Sequence, residues 1–464
     1  MRLKLMKAAY VSMLIIALLA ISAATSLATD YYVDGSNGDD SNSGLRAQDA
    51  WKTITHALQA VEPSASSPAT IHVAAGTYAA STNGESFPLV LNSYTALVGE
   101  GPGTTVLDAE HLGGIIRLEG ASQATITSLC LDRASGDPAL YCCDTFITVT
   151  DCHIQNNREA EAIFCRSQSK NPRRDRIMGS LTLRGCRINN NAARHHSIIS
   201  KSGLDVLFAL EWCAIEGNTT SRSIITHSGA LIAHGIVESC TIRGNTASAA
   251  IIYACGYFNY LDVSRCLIER NSCGSVIWAS GVRLLHSIIR DNHADRVLDL
   301  YDYYGVFRGC VIESNEMRAE LFRSHGEFGW LIAIPELFLD DCLIARNTCG
   351  EGALFKTVDQ YGCRFGSSLA PLADSSGSGR IQIHRCSMAN NHGGARDALN
   401  TSKRSIYGVG DSIDIQDCVF QGNAVALHHY YIYDTRMKPW PCNVDHCCLE
   451  EEFEGEGNFV ADPM

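Results

Sequence analysis

Four groups of side chains in this 464-residue chain have the atoms for chemistry. Asp34, Asn37, Asp39 and Asp40, with Asn42, supply hard oxygen ligands of the kind calcium takes; they sit in a glycine-rich stretch that is read first as a solvated turn. Cys442, His446, Cys447 and Cys448 carry zinc-binding atoms but lack paired Cys-x-x-Cys spacing, which favours a disulfide or end-coil packing. Asp340 and Asp341 are adjacent carboxylates. Tyr253, Trp278, Asp299, Tyr301, Arg323, His325 and Lys356 combine flat rings with charged and hydrogen-bonding groups. That mixture suits a sugar chain, whose C–H faces stack on aromatic rings while its hydroxyls bond polar neighbours. No constant spacing joins these seven residues, so they act together only if some regular element brings them into line.

The element is visible in a recurring Cys-x-Ile-x-x-Asn. It appears at Cys152/Ile154/Asn157, Cys186/Ile188/Asn191, Cys213/Ile215/Asn218, Cys240/Ile242/Asn245 and Cys266/Ile268/Asn271. It continues intact at Cys310 and Cys342, with single replacements at Ser287, Cys386 and Cys418, and in worn form at Cys447. Apolar residues usually precede the cysteine by five and three positions, as in Ile147/Val149 and Leu181/Leu183, which is strand alternation. About six residues after each Asn comes a second apolar run, such as Ile198-Ile199 or Val276-Ile277. Each repeat therefore holds three short strands. The cysteine spacing varies from 21 to 44 residues, as in a coil whose strands stack in register while its loops vary. A leucine-rich repeat fits less well, because the segment after Asn has no helical periodicity.

In a stacked coil the aligned columns become physical rows about 4.8 Å apart. The cysteine column faces inward and reads as a ladder of small buried hydrophobes; parallel side-chain directions disfavour disulfides within it. Cys142, Cys143, Cys165, Cys255, Cys273, Cys349, Cys363, Cys442 and Cys448 lie outside the column and are the better bridge candidates. The Asn column marks a corner, where Asn tolerates left-handed backbone angles and bonds its neighbour. After Ile the column reads Glu216, Arg243, Glu269, Arg290, Glu313 at its centre, alternating in sign so that each charge faces opposites. The outward column of the second apolar run is Ser200, Thr226, Tyr253, Trp278, Asp299, Arg323, Lys356, with Tyr301 and His325 two residues along. The seven scattered residues thus fall into one register. Asp341 precedes Cys342 as Asp151 and Asp417 precede their cysteines, which makes it a corner preference; His195-His196, His428-His429 and the basic stretch Arg166, Lys170, Arg173, Arg174, Arg176 read as loop or face residues.

This pattern resembles the right-handed parallel β-helix, pectate-lyase-like family over roughly residues 70 to 450. Tyr31-Tyr32-Val33-Asp34-Gly35, Trp51-Lys52-Thr53-Ile54 and Ile71-His72-Val73-Ala74-Ala75-Gly76-Thr77-Tyr78 are similar to the opening of such proteins, including a related domain of unknown function. The resemblance implies an all-β, single-stranded solenoid of about a dozen coils, with Thr53 to Val61 forming a helix that plugs the first coil. The expected division is a signal peptide at 1–28, a lead-in with the capping helix at 29–68, the β-helix at 69–450 and a closing segment at 451–464. Glycoside hydrolases and lyases share this fold, but the Gly-His-Gly and paired-Asp motifs of the polygalacturonase-like hydrolases are absent from the sequence, as is the Asn-Asp-Asp-Gly run of one lyase family.

Basic Arg2, Lys4 and Lys7, the apolar run Val11 to Ile21 and the small residues ending at Ala28 form a secretory signal. Its removal moves the formal net charge from -13 to -16, which argues against a nucleic-acid partner. The expectation is a secreted, extracellular or cell-surface monomer, with the periplasm as the other destination and no membrane span after cleavage. It is expected to bind extracellular polysaccharide or another surface, to need no cofactor beyond an optional Ca2+, and to catalyse nothing. The alternatives are a polysaccharide lyase or glycoside hydrolase with unrecognised active residues, and a purely structural adhesin or spacer.

Overall fold

The computed structural model describes residues 28–167, 179–203, 206–228, 232–255, 258–301, 304–319, 321–326, 336–350, 355–359, 380–393, 406–407, 412–421, 442–449 and 458–460. The signal segment apart from Ala28, and the closing segment apart from 458–460, lie outside them. One coil shows the plan. Phe146–Thr150 joins sheet A, His153–Gln155 joins sheet B and Ile163–Arg166 joins sheet C, after which the chain returns to sheet A at Gly179–Arg184. Each strand pairs in parallel with its equivalent one coil on, Ile147 with Leu181 and Ile154 with Ile188. The result is a right-handed parallel β-helix.

Among the described residues sheets A and B have 15 strands each and sheet C has 12, all stacked in chain order. Fifteen exceeds the dozen coils expected because the first coils lack the cysteine signature: Leu129 fills the cysteine row and Ala134 the Asn row, while Val33, Val73, Leu97 and Ile126 keep the buried alternation. A two-residue strand at the Asn corner, such as Arg158–Glu159, adds two four-stranded ribbons.

The interior is built from rows. Asn157, Asn191, Asn218, Asn245, Asn271, Asn292, Asn315, Asn347 and Asn391 are all buried. Within the row the Asn218 amide N–H and Nδ2 both donate to Asn245 Oδ1 at 3.0 Å, while Asn245 Nδ2 donates to Asn271 Oδ1 at 3.0 Å and to the Ile215 carbonyl at 2.8 Å. Each amide side chain therefore closes the corner of the coil before it. The left-handed backbone lies one residue earlier than expected, at Asn156, Asn190, Arg270, Asp291 and Ser314, with φ between 54° and 55°. The Asn itself has to point inward, so its neighbour makes the turn. A second left-handed corner precedes each cysteine, at Asp151, Trp212, Arg265, Asp341 and Asp417 among others.

The cysteine row is a ladder of thiols. Cys213 Sγ donates to the Leu183 carbonyl at 3.4 Å and the Cys213 amide donates to Cys240 Sγ at 3.4 Å. Ser287 takes the same place, receiving the Cys266 amide at 3.1 Å. Cys142, Cys143, Cys165, Cys255, Cys273 and Cys349, the expected bridge candidates, form no disulfide. Cys142 and Cys165 are register partners on adjacent strands, but side chains in a parallel pair point the same way rather than toward each other. The side chains of Cys363, Cys442 and Cys448 lie outside the described residues.

Helix α1 (Ile54–Ala60) closes the N-terminal end, burying Ile54, Ala57 and Leu58. Thr53 is its N-cap, accepting the His56 amide at 3.1 Å. The other free N–H groups of its first turn go to buried Glu85, which accepts from Ile54 N at 2.9 Å and Thr55 N at 2.8 Å. Trp51 packs on Tyr31 with ring centroids 5.5 Å apart. Gly44, at φ 69°, lies against this indole so closely that a Cβ there would meet the ring at 2.5 Å, which is why the position takes glycine.

Candidate functional site: the outward face of sheet C

Sheet C carries its outward residues in one unbroken row. Ser200, Thr226, Tyr253, Trp278, Asp299, Arg323 and Lys356 are successive register partners, and Tyr301 pairs with His325 in the next column. Period-two alternation within strands and one residue per coil between them create this line, so residues 21 to 33 positions apart in sequence become neighbours. The row reaches further at both ends than the sequence reading placed it. Val90, Arg117, Tyr141 and Phe164 precede Ser200, and Tyr407 follows Lys356. Val90, Arg117 and Tyr141 were missed because their coils lack the Cys-x-Ile-x-x-Asn signature that set the register, whereas Phe164 follows Asn157 in the first signature coil; Tyr141-Cys142 and Phe164-Cys165 offered the signal, an aromatic before an inward cysteine.

The geometry differs along the row. Tyr253 and Trp278 are both partly exposed and meet edge to face, with centroids 5.5 Å apart and planes at 72°. Burial, then Cys255 close by, pushes the Tyr253 hydroxyl up to about 12, so it is a neutral donor at ordinary pH. Asp299 holds the expected register but is only 5% exposed, and its carboxylate lies 3.5 Å from Arg296 Nη1. It braces the strand beneath the face instead of offering an oxygen to a ligand. Arg323 is partly exposed beside it. The side chains of Tyr301, His325 and Lys356 lie outside the described residues, as do the 168–178 and 360–379 insertions.

The other chemical groups resolve into structure. Asp34 accepts the Ser36 and Asn37 amides at 2.9 and 3.0 Å, Asp39 accepts the Ser41 amide at 2.8 Å, and Asp40 accepts those of Lys52 and Thr53 at 2.8 and 2.9 Å. These carboxylates and Asn37, which donates to Asp34 Oδ2 at 2.9 Å, hold the lead-in turn together. Cys447 is buried in the thiol ladder and His446 is a left-handed corner, and among the described residues no three metal-ligating side chains converge. Asp340 and Asp341 are both spent on Arg385, at 2.5 and 2.7 Å. On sheet B the alternating charges pair as expected: Arg243 with Glu216 at 2.7 Å, Arg290 with Glu269 at 2.8 Å. His196 bonds Glu161 at 3.0 Å on an exposed loop.

The fold and this face define the class, a right-handed parallel β-helix with an aromatic and polar outer row. A family model described as "Protein of unknown function (DUF1565)" matches residues 36–247. No curated protein sequence matches the chain. Solved structures of similar architecture include the catalytic domain of a GH87 α-1,3-glucanase in complex with nigerose, at 12% identity and TM-score 0.39 over 80% of this chain and 67% of that one. Another is the A-module of the Azotobacter vinelandii mannuronan C-5 epimerase AlgE6, at 11% and 0.31 over 81% and 95%. A third is XylC in complex with xylose, at 8% and 0.36 over 84% and 86%. At these values the likeness is one of fold alone.

Proposed function

We propose that this is a secreted or cell-surface β-helix that binds extracellular polysaccharide along the outward face of sheet C and does not turn it over. The observation that supports it is the pairing of Tyr253 with Trp278 in one outward register, on coils where the fold accepts Ser200 and Thr226 just as readily. Large rings left partly in water are an energetic cost that ligand contact offsets. Ring stacking is worth about 1 kcal/mol per ring by analogy with aromatic pairs, so Trp278→Ala should weaken glycan binding roughly five-fold or more with the circular dichroism unchanged. Glycan-array binding that persists in a Tyr253→Ala, Trp278→Ala double variant would sink the reading. The same protein should be incubated with pectin, alginate and neutral glucans while unsaturated products and reducing ends are followed. Turnover of any of them would replace a binding protein with a lyase or hydrolase.

A further inference from the structure

We infer that the N-terminal third of the sheet C face is a second saccharide subsite, so that one glycan chain runs parallel to the helix axis and spans both aromatic pairs. The inference rests on the reading just given and adds the direction and minimum length of the ligand. Four coils before Tyr253, Tyr141 sits in the same row, and Phe164 follows it with centroids 5.8 Å apart. Two guanidinium groups are held on the Tyr141 ring, Arg117 at 4.9 Å from one neighbouring coil and Arg166 at 5.6 Å from the other. Arg117 is steadied by Glu119 at 2.6 Å. With cations occupying the tyrosine, partly exposed Phe164 is the ring free to stack on a sugar, and the guanidinium edges are fixed donors for hydroxyl or anionic substituents. Beyond them a depression of 270 Å³ is lined by Val90, Asn92, Ser93, Arg117 and Glu119.

What joins the two ends is the low ground between them. Ser200 and Thr226 are the only row positions separating Phe164 from Tyr253, and both are small hydroxyl residues, with the Thr226 hydroxyl 2.6 Å from that of Ser197. A polymer can therefore pass without climbing over a bulky side chain. Tyr141 to Trp278 is five strand spacings, roughly 24 Å. A ligand shorter than this engages one pair; a longer one engages both, and the second contact becomes intramolecular, which raises avidity without any new contact type.

The test is a length series. Oligosaccharides of about two to ten residues from xylan, β-1,4-glucan and alginate are titrated against the full chain by calorimetry, the first two arms being neutral and the third anionic. Wild type should gain about ten-fold or more in affinity once the ligand exceeds the span, and that step should collapse in a Phe164→Ala, Arg166→Gln variant that keeps the wild-type circular dichroism. An even rise with length in wild type, or a step that survives in the variant, overturns the second subsite; if Trp278→Ala still weakens binding, the sheet C reading stands. Failure of every length in all three arms to bind, or full binding by Trp278→Ala, overturns that reading and the second subsite together.

Discussion

Asn245 carries the physics of this molecule at the scale of one residue. Its side chain is 1% exposed and satisfies groups on the coils before and after it. Asn245→Ala strips the Asn218 amide, the Asn218 Nδ2 and the Ile215 carbonyl of their Asn245 partner at once, while Asn271 Oδ1 keeps the Asn245 backbone amide. Each buried group left unmade costs about 1–3 kcal/mol, so the loss should be at least about 3 kcal/mol in urea unfolding. Arg243, two residues away, is exposed and paired with Glu216 on the surface, and Arg243→Ala should cost no more than about 1 kcal/mol. Similar losses from the two variants would contradict the ladder. His153 adds a pH dependence. Burial and then Arg187, its register partner on the next coil, lower its pKa below 6.5, favouring the neutral ring in the folded state. Its contribution is therefore present above pH 6.5 and is lost as pH falls through the folded value. Between pH 7.5 and 5.5 the urea midpoint of wild type should drop further than that of His153→Gln.

Helix α1 is the element with the most exposed responsibility, because it covers the apolar end of the first coil. Seven residues are too few to be helical in water without tertiary support. That support comes from Glu85, 31 residues downstream of Ile54. Removing its carboxylate leaves two backbone N–H groups without acceptors, so Glu85→Ala should cost about 2–3 kcal/mol. Hydrogen exchange should locate the damage at residues 54–60 first; if those amides keep their wild-type protection, Glu85 is not the cap that it looks to be. The helix itself was legible from the sequence, since Thr53 followed by Ile54, Ala57 and Leu58 has an N-cap and one apolar face. Glu85 was not, because a cap supplied from a distant loop leaves no local periodicity.

Across the whole molecule, 15 stacked strands in sheet A span 14 intervals, a length of roughly 67 Å at about 4.8 Å each. Small-angle scattering should give a maximum dimension no shorter than this and the profile of a rod; a compact, near-spherical profile would refute the solenoid. The fold was readable because the coils from Cys152 onward repeat the same demands: two inward apolar residues on the sheet A strand, a small residue at one corner and an Asn at the next. Ile147/Val149, Cys152 and Asn157 meet those demands within a dozen residues, and stacking then repeats them in space. The register of Tyr253, Trp278 and Arg323 was readable for the same reason, since side chains in a parallel stack inherit the alignment of their coils. Only the tertiary structure decided the rest. Asp299 and Trp278 share a column, yet one is buried against Arg296 and the other reaches the surface, because depth depends on side chains from neighbouring strands that no spacing reveals. Tyr141 joined the face only once its coil was stacked, since burial of Leu129 and Ala134 serves the core as well as cysteine and Asn do and hides that repeat from the sequence, whereas Phe164 follows Asn157 in a coil that keeps the signature.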